Sequence, residues 1–109
     1  MEHDKKTMTQ EEYLNFARKK CNSILDLITR KNADYTNGGS AFANFEKSLE
    51  YGIDPFIGLC LRTEDKWQRI RSFVKQGKLE VKGEGVEDAL TDVIGYCLIA
   101  LAMLESKNK

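Results

Sequence analysis

Several features are scarce in this sequence, and each scarcity narrows its interpretation. One proline in 109 residues leaves long helices almost uninterrupted. The only histidine, His3, lies in a polar N-terminal stretch, and the three cysteines are far apart without a CxxC pair. Neither a cysteine–histidine catalytic pair nor a zinc site is therefore expected. We interpret Cys21, Cys60 and Cys97 as reduced core thiols, which is typical of a cytosolic protein.

Net charge is also missing, because 17 basic residues balance 17 acidic ones. A neutral chain has no general attraction to polyanions, so we expect neither a membrane nor extended nucleic acid as a partner. No apolar run reaches the length of a membrane span, and the first residues lack the apolar core of a signal peptide. A glycine-rich phosphate loop, GxSxG and HExxH are absent as well. These features favour a cytoplasmic protein without the common hydrolase motifs.

What the sequence does contain is helical periodicity with clear start and stop signals. Thr9 and Glu12 form a capping box before a first helix that is expected to reach about Lys31. The pattern then predicts a short helix from Ala41 to about Tyr51, a helix from Pro55 to about Gln76, and a last helix over 84–105. We therefore predict an all-α bundle of about four helices, with residues 1–8 disordered and residues 9–109 forming one domain.

The last helix is unusually apolar. Between Val93 and Leu104 the apolar residues cover nearly the whole circumference of the helix. A helix that is apolar all round must be buried on all sides, and three other helical segments barely suffice for that. We therefore expect a homo-oligomer, with this helix near the interface.

Acidic residues mark the start of the same helix. Glu84, Asp88 and Asp92 are spaced i, i+4, i+8, so their carboxylates are predicted to share one stripe and to repel one another. Three interpretations are open. The acids oppose the helix macrodipole, or they pair with Arg62, Lys66 and Arg69 of the preceding helix, or they bind Mg²⁺ together with Asp65. The last two are compatible, because phosphate chemistry needs cations and metal-binding acids close together.

A segment rich in turn residues and aromatic residues, over 31–45, follows the first helix and continues into the predicted short helix. It carries Tyr35, Phe42 and Phe45 beside Asp34 and Asn44. Aromatic planes with neighbouring amides are typical of base-recognition sites, where they stack on the base and bond to its edge. The alternative is that the two phenylalanines fill the core while the polar residues cap helices.

Five short motifs in order make the sequence resemble a known family. They are Lys31-x-x-Asp34-Tyr35, Ala41-Phe-x-Asn-Phe45, Gly52, Arg62-x-x-Asp65-Lys66-x-x-Arg69 and Glu84-x-x-x-Asp88-x-x-x-Asp92-x-x-x-Tyr96. Together they resemble the nucleotide modification associated domain 1 family, which is common in phages. That family is similar to the all-α nucleoside triphosphate pyrophosphohydrolases of the MazG and dimeric dUTPase types. The resemblance covers about residues 24–105 and implies a MazG-like, oligomeric helical fold with a nucleotide ligand.

The resemblance also implies roles for individual residues. As a pyrophosphohydrolase the protein would use Asp65, Glu84, Asp88 and Asp92 as Mg²⁺ ligands and catalytic acids. A nucleotide would be held by Lys31, Asp34, Tyr35, Asn44, Phe45, Arg62, Lys66 and Arg69. The chain departs from the hydrolase pattern, because Arg62-Thr-Glu-Asp-Lys66 stands where ExxE is expected and ExxxD-xxx-D replaces ExxD.

Three functional hypotheses follow. The first is a Mg²⁺-dependent (deoxy)nucleoside triphosphate pyrophosphohydrolase of phage or bacterial nucleotide metabolism. The second is a non-catalytic protein that binds a nucleotide or sequesters a nucleotide signal, including in a phage anti-defence role, and it fits the basic residues around Arg62. The third is a purely structural helical protein, which leaves Asp92 and the aromatic segment without a role.

Overall fold

The computed structural model describes residues 6–36, 39–77, 80–81 and 84–108, and for 32–36, 80–81 and 84 the backbone alone. Within this part of the chain the fold is all-α apart from one two-residue ladder, which confirms the expected fold class. The elements are α1 (Gln10–Thr36), α2 (Ala43–Glu46), a 3-10 helix (Lys47–Tyr51), α3 (Pro55–Gln76), β1 (Glu80–Val81), β2 (Glu84–Gly85) and α4 (Val86–Lys107).

The starts of α1 and α3 agree with the local signals in the sequence. The Thr9 N–H donates to Glu12 Oε1 at 2.9 Å, and the Glu12 N–H donates to Thr9 Oγ1 at 3.1 Å. This reciprocal capping box satisfies two N–H groups that the first turn leaves without helical partners. Asp54 caps α3 in a similar way, because its Oδ1 accepts from the Phe56 N–H at 2.8 Å and Pro55 begins the helix.

Two glycines end helical segments. Gly52 follows the 3-10 helix with φ +72°, and Gly77 follows α3 with φ +70°. This left-handed conformation disfavours any residue with a Cβ, which is why glycine stands at both positions. By contrast, α1 continues five residues beyond its predicted end at Lys31 and stops at Thr36.

The start of α4 differs from the prediction. Gly85 is the N-cap in extended backbone, and the helix begins at Val86. Glu84 lies in β2 opposite Val81, because the antiparallel ladder holds this part of the chain extended. The predicted acidic stripe on one helix is therefore wrong at its first member, and of the three acids only Asp88 and Asp92 lie on α4.

The core lies mainly between α3 and α4, which run antiparallel. Lys107 Nζ lies 3.8 Å from Asp54 Oδ2, so the end of α4 is beside the start of α3. The two buried clusters are Phe45, Leu59 and Met103, and Ile70, Ala89 and Val93. Phe45 joins α2 to this helix pair, which brings the turn-rich segment next to the middle of α4.

Several residues predicted to be buried are exposed. On α1 the helical spacing of Tyr13, Phe16 and Ile24 predicts one apolar face, but Tyr13 and Phe16 are about half exposed and Ile24 alone of the three is buried. All three cysteines are free thiols, as expected, yet all are exposed, so their assignment to the core is wrong. The reason is the same in each case: these residues lie on helix faces that no other described element covers.

Helix α4 is the most apolar element. Among the described residues it is the one helix long and apolar enough to be a candidate membrane span, whereas the sequence pattern predicted none. Only 17% of its most apolar window is buried within the chain. Most of an apolar helix therefore faces outward in a single copy.

Candidate functional site

A cavity of about 420 Å³ lies between α1, α2, α3 and α4, and we call it the central cavity. Its size falls within the range of small-molecule sites in proteins. Its walls combine apolar, aromatic, amide and charged side chains. They are formed by Ile24, Leu27, Ile28, Lys31, Ala41, Asn44, Phe45, Lys66, Thr91, Asp92, Gly95, Tyr96 and Ile99.

One wall of the central cavity is aromatic. Phe45 and Tyr96 meet edge to face, with ring centroids 5.9 Å apart and ring planes at 88°. The guanidinium carbon of Arg62 lies 5.1 Å from the centroid of the Phe45 ring. These contacts fix the Phe45 ring, since an edge-to-face pair and a cation over the ring face both have preferred geometries.

The charged part of the central cavity centres on an ion pair. Lys66 Nζ lies 2.9 Å from Asp92 Oδ2, and the side chains are 21% and 34% exposed. Lys31 of α1 also lines the cavity. Asp92 thus balances Lys66 within the pair, while Lys31 adds a positive charge to the cavity from another helix.

Gly95 forms part of the wall without filling it. A Cβ built at this position meets no atom within 4 Å, so the helix presents bare backbone and open space there. Because a side chain here would enter the cavity, the glycine keeps room for a ligand beside Asp92 and Tyr96.

A smaller hollow of about 150 Å³, which we call the side hollow, adjoins the central cavity and shares two of its lining residues. It is lined by Asn44, Phe45, Lys47, Ser48, Tyr51, Gly58 and Arg62. Lys47 and Arg62 bring two positive charges to it, and none of its described lining residues carries a carboxylate. Asn44 and Phe45 form the boundary, so one extended ligand can contact both spaces.

Of the residues predicted to form the site, the structure brings six together. Lys31, Asn44, Phe45, Lys66 and Asp92 line the central cavity, and Arg62 lines the side hollow beside it. Asp65, Arg69 and Asp88 are exposed and line neither space. The side chains of Asp34, Tyr35 and Glu84 lie outside the described residues, so their predicted roles stay predictions.

As far as the structure describes the proposed metal ligands, they do not form a metal-binding group. Within the described residues no three histidine, cysteine, aspartate or glutamate side chains form a group able to hold a metal ion. Of the three predicted acidic ligands whose side chains the structure describes, Asp92 lines the central cavity, and its carboxylate contacts Lys66. Binding of Mg²⁺ through Asp65, Glu84, Asp88 and Asp92 stays a prediction.

Some lining residues were not predicted as site residues. Tyr96 lies four residues after Asp92 and Gly95 three, so both share its face of α4, and this spacing is the signal that identifies them. Lys47 has no such signal, because it lies in a short 3-10 helix without periodic neighbours. The aliphatic wall from α1 looks like an ordinary core face in the sequence.

The fold and the cavity define a class: a small all-α protein whose helices enclose a site with aromatic, amide and lysine side chains. The model of the nucleotide modification associated domain 1 family matches residues 31–104, and the chain belongs to this family. The matched region includes every predicted site residue. Comparisons with curated proteins and with solved structures found no match.

Proposed function

We propose that the protein binds a nucleotide or nucleotide-derived small molecule in the central cavity. The observation that carries this proposal is the convergence, from four separate helices, of an aromatic wall, an amide and two lysines on one space of about 420 Å³. Membership of a family named for nucleotide modification supports the same ligand class.

The base and sugar fit the apolar part of the cavity. Tyr96 offers ring surface backed by the largely buried Phe45, and Ile28 and Ile99 add aliphatic surface. Asn44 carries both a donor and an acceptor, the combination that reads the edge of a base. The open space beside Gly95 accommodates a ring without displacing another side chain.

The phosphates are expected to contact the lysines and to extend into the side hollow. Lys66 is balanced by Asp92, so Lys31 alone adds net positive charge to the central cavity among its described lining residues. Lys47 and Arg62 supply two more charges beyond the boundary formed by Asn44 and Phe45. A di- or triphosphate reaches these cations more readily than a monophosphate does.

A second candidate function is Mg²⁺-dependent hydrolysis of a (deoxy)nucleoside triphosphate to a monophosphate and pyrophosphate. The position of the Asp92 carboxylate at the central cavity favours it. This function requires a MazG-like arrangement in which Asp65, Glu84 and Asp88 join Asp92 around the metal. Binding without hydrolysis requires only the residues that already line the two spaces, so we rank it first.

Binding is tested by calorimetry with nucleosides and their mono-, di- and triphosphates, each with and without Mg²⁺. We expect tighter binding as phosphates are added and the ligand to be recovered intact. In Lys47→Ala this gain with phosphate number should shrink by roughly 2–13-fold, the effect of losing one hydrogen bond of about 0.5–1.5 kcal/mol. Lys75→Ala is the matched control, since Lys75 is exposed at the end of α3.

Two results test these two functions. Pyrophosphate release with Mg²⁺ that is lost in Asp92→Asn establishes the hydrolase. If the wild-type protein binds no member of the panel, with or without Mg²⁺, both functions are excluded.

A further inference from the structure

A regular apolar stripe runs along the exposed side of α4, and we call it the α4 seam. It consists of Leu90, Ile94, Cys97, Leu101 and Leu104. The spacing is 4-3-4-3, which is the spacing of residues that pack one helix against another in a coiled coil. The four aliphatic members are 41–62% exposed, so the described part of a single chain leaves them largely uncovered.

The α4 seam lies opposite the central cavity. At 100° per residue, Asp92, Gly95 and Ile99 point roughly 180° away from the seam. The residues that pack on α3, such as Ala89 and Val93, lie between these two faces. One side of α4 therefore serves the proposed ligand, a second forms the core, and the seam is left for another helix.

A hollow of about 230 Å³ continues the seam toward α3. Cys97 of α4 lines it together with Cys60 and Trp67 of α3, and the Trp67 side chain is 40% exposed. Side chains projecting from a second helix would fill such a hollow, as knobs fill holes between packed helices.

We propose that two copies of this chain pair through the α4 seam, with the two α4 helices antiparallel and Cys97 at the centre. Cys97 is the middle member of the seam, so a twofold axis through it matches Leu90 with Leu104 of the second copy. The same axis sets Ile94 within one residue of Leu101 of the second copy, since the position directly opposite is residue 100. The interface is then self-complementary, as twofold symmetry requires.

The charges at the ends of α4 favour the antiparallel direction. Glu87 and Asp88 lie in the first turn, and Lys107 lies in the last. Antiparallel pairing sets the first-turn acids of each helix beside a last turn that carries both Glu105 and Lys107, and it opposes the two macrodipoles. Parallel pairing would bring Glu87 and Asp88 next to the same residues of the second copy, where like charges repel.

The exposed apolar surface reaches the lower limit for a specific contact. Leu98 and Trp67 and the four aliphatic seam residues are 40–62% exposed, so their complete burial in both copies covers at most about 1,000 Å², the minimum for a biological interface. A lipid bilayer is a poorer occupant of this face. Insertion of α4 would carry Asp92 and its partner Lys66 into hydrocarbon, where charged side chains are costly.

The first test is the mass of the protein in solution at micromolar concentration. We expect twice the 12.4 kDa of one chain, and Leu101→Glu should return it to one chain. Leu49→Glu is the matched control, because Leu49 is 59% exposed and Leu101 62%, and Leu49 lies outside the seam. A single-chain mass at all concentrations, or flotation of monomer with phosphatidylglycerol vesicles, would overturn the proposal.

The second test uses the native cysteines and needs no destabilising change. In Cys21→Ser/Cys60→Ser, the remaining Cys97 should give a cross-linked dimer with a short bismaleimide, while Cys60→Ser/Cys97→Ser should not. In a cysteine-free background, Leu90→Cys and Leu104→Cys proteins should cross-link when mixed and not separately. Cross-linking of each protein alone would overturn the antiparallel arrangement, and no cross-linking of Cys97 would overturn the seam itself.

Discussion

At the residue scale, the Lys66–Asp92 pair is the feature that most directly controls the proposed ligand. The two charged atoms are 2.9 Å apart, and both side chains remain partly exposed. Such pairs contribute about 0–1 kcal/mol, so an incoming phosphate can replace the carboxylate at Lys66 without a large loss of stability. Asp92 therefore competes with the ligand in the binding hypothesis, whereas it binds the metal in the hydrolase hypothesis.

Asp92→Asn separates these roles. If Asp92 only balances Lys66, the variant should bind nucleoside triphosphates about 2–6-fold more tightly in calorimetry, because Lys66 loses its competing carboxylate. Glu105→Gln removes one exposed acid elsewhere on α4 and is the control for net charge. Weaker binding in Asp92→Asn, restricted to conditions with Mg²⁺, would contradict the competition model.

Gly95 permits a test of the cavity that does not harm the fold. Gly95→Ala should raise the free energy of unfolding by about 0.5–1 kcal/mol, because alanine is the better helix former and its Cβ meets no atom within 4 Å. Gly95→Leu should keep the helix but place a side chain in the central cavity. Urea unfolding of Gly95→Ala measures the gain in stability. Calorimetry of Gly95→Leu should show loss of nucleotide binding.

If Gly95→Leu is folded and binds nucleotides as tightly as the wild-type protein, the ligand does not occupy this cavity. Gly95→Ala is the matched control, since it changes the same residue but adds only one carbon.

At the element scale, the helices differ in how much of the core they carry. α3 contributes Leu59 and Ile70 to the buried clusters, whereas the first half of α1 is largely exposed. A cap on α3 should therefore affect the whole fold. The cap on α1 should affect local fraying alone, because local opening there exposes little buried apolar surface.

The capping residues allow this difference to be measured. Asp54→Ala should lower the global free energy of unfolding by about 1 kcal/mol, since it leaves the Phe56 N–H without its partner. Thr9→Ala removes an equivalent bond but should leave the urea midpoint nearly unchanged while speeding amide exchange over residues 10–16. A global loss of similar size in both variants would show that the start of α1 belongs to the core.

The difference between local and long-range interactions explains which helix boundaries were predicted correctly from the sequence. Helix starts at Gln10 and Pro55 and the stops at Gly52 and Gly77 depend on neighbouring residues, so local patterns identify them. The start of α4 depends instead on the pairing of β1 with β2, and a local pattern placed Glu84 in the helix. The exposed cysteines were missed for a related reason, since a helical pattern does not say which apolar face has a partner.

At the scale of the whole molecule, a single copy is more extended than its length requires. The radius of gyration of the Cα atoms is 16.9 Å, whereas a compact domain of this length has one of about 13 Å. Six of the predicted site residues still come together, because α1, α2, α3 and α4 each contribute to the same region. Asp65 and Arg69 were predicted from their spacing along α3, and Asp88 from its spacing along α4. Spacing along a helix does not fix which face of that helix meets the cavity.

The separation of the two outer faces of α4 leads to a prediction for the whole molecule. If the seam binds a second copy and the opposite face binds a nucleotide, the two events should be independent. The melting temperature of the wild-type protein should rise with protein concentration, because dimerisation stabilises the folded state by mass action. In Leu101→Glu this concentration dependence should disappear, while the increase caused by saturating nucleoside triphosphate should persist. Loss of both effects together would mean that the cavity forms only in the dimer, and the independence of the two faces would be wrong.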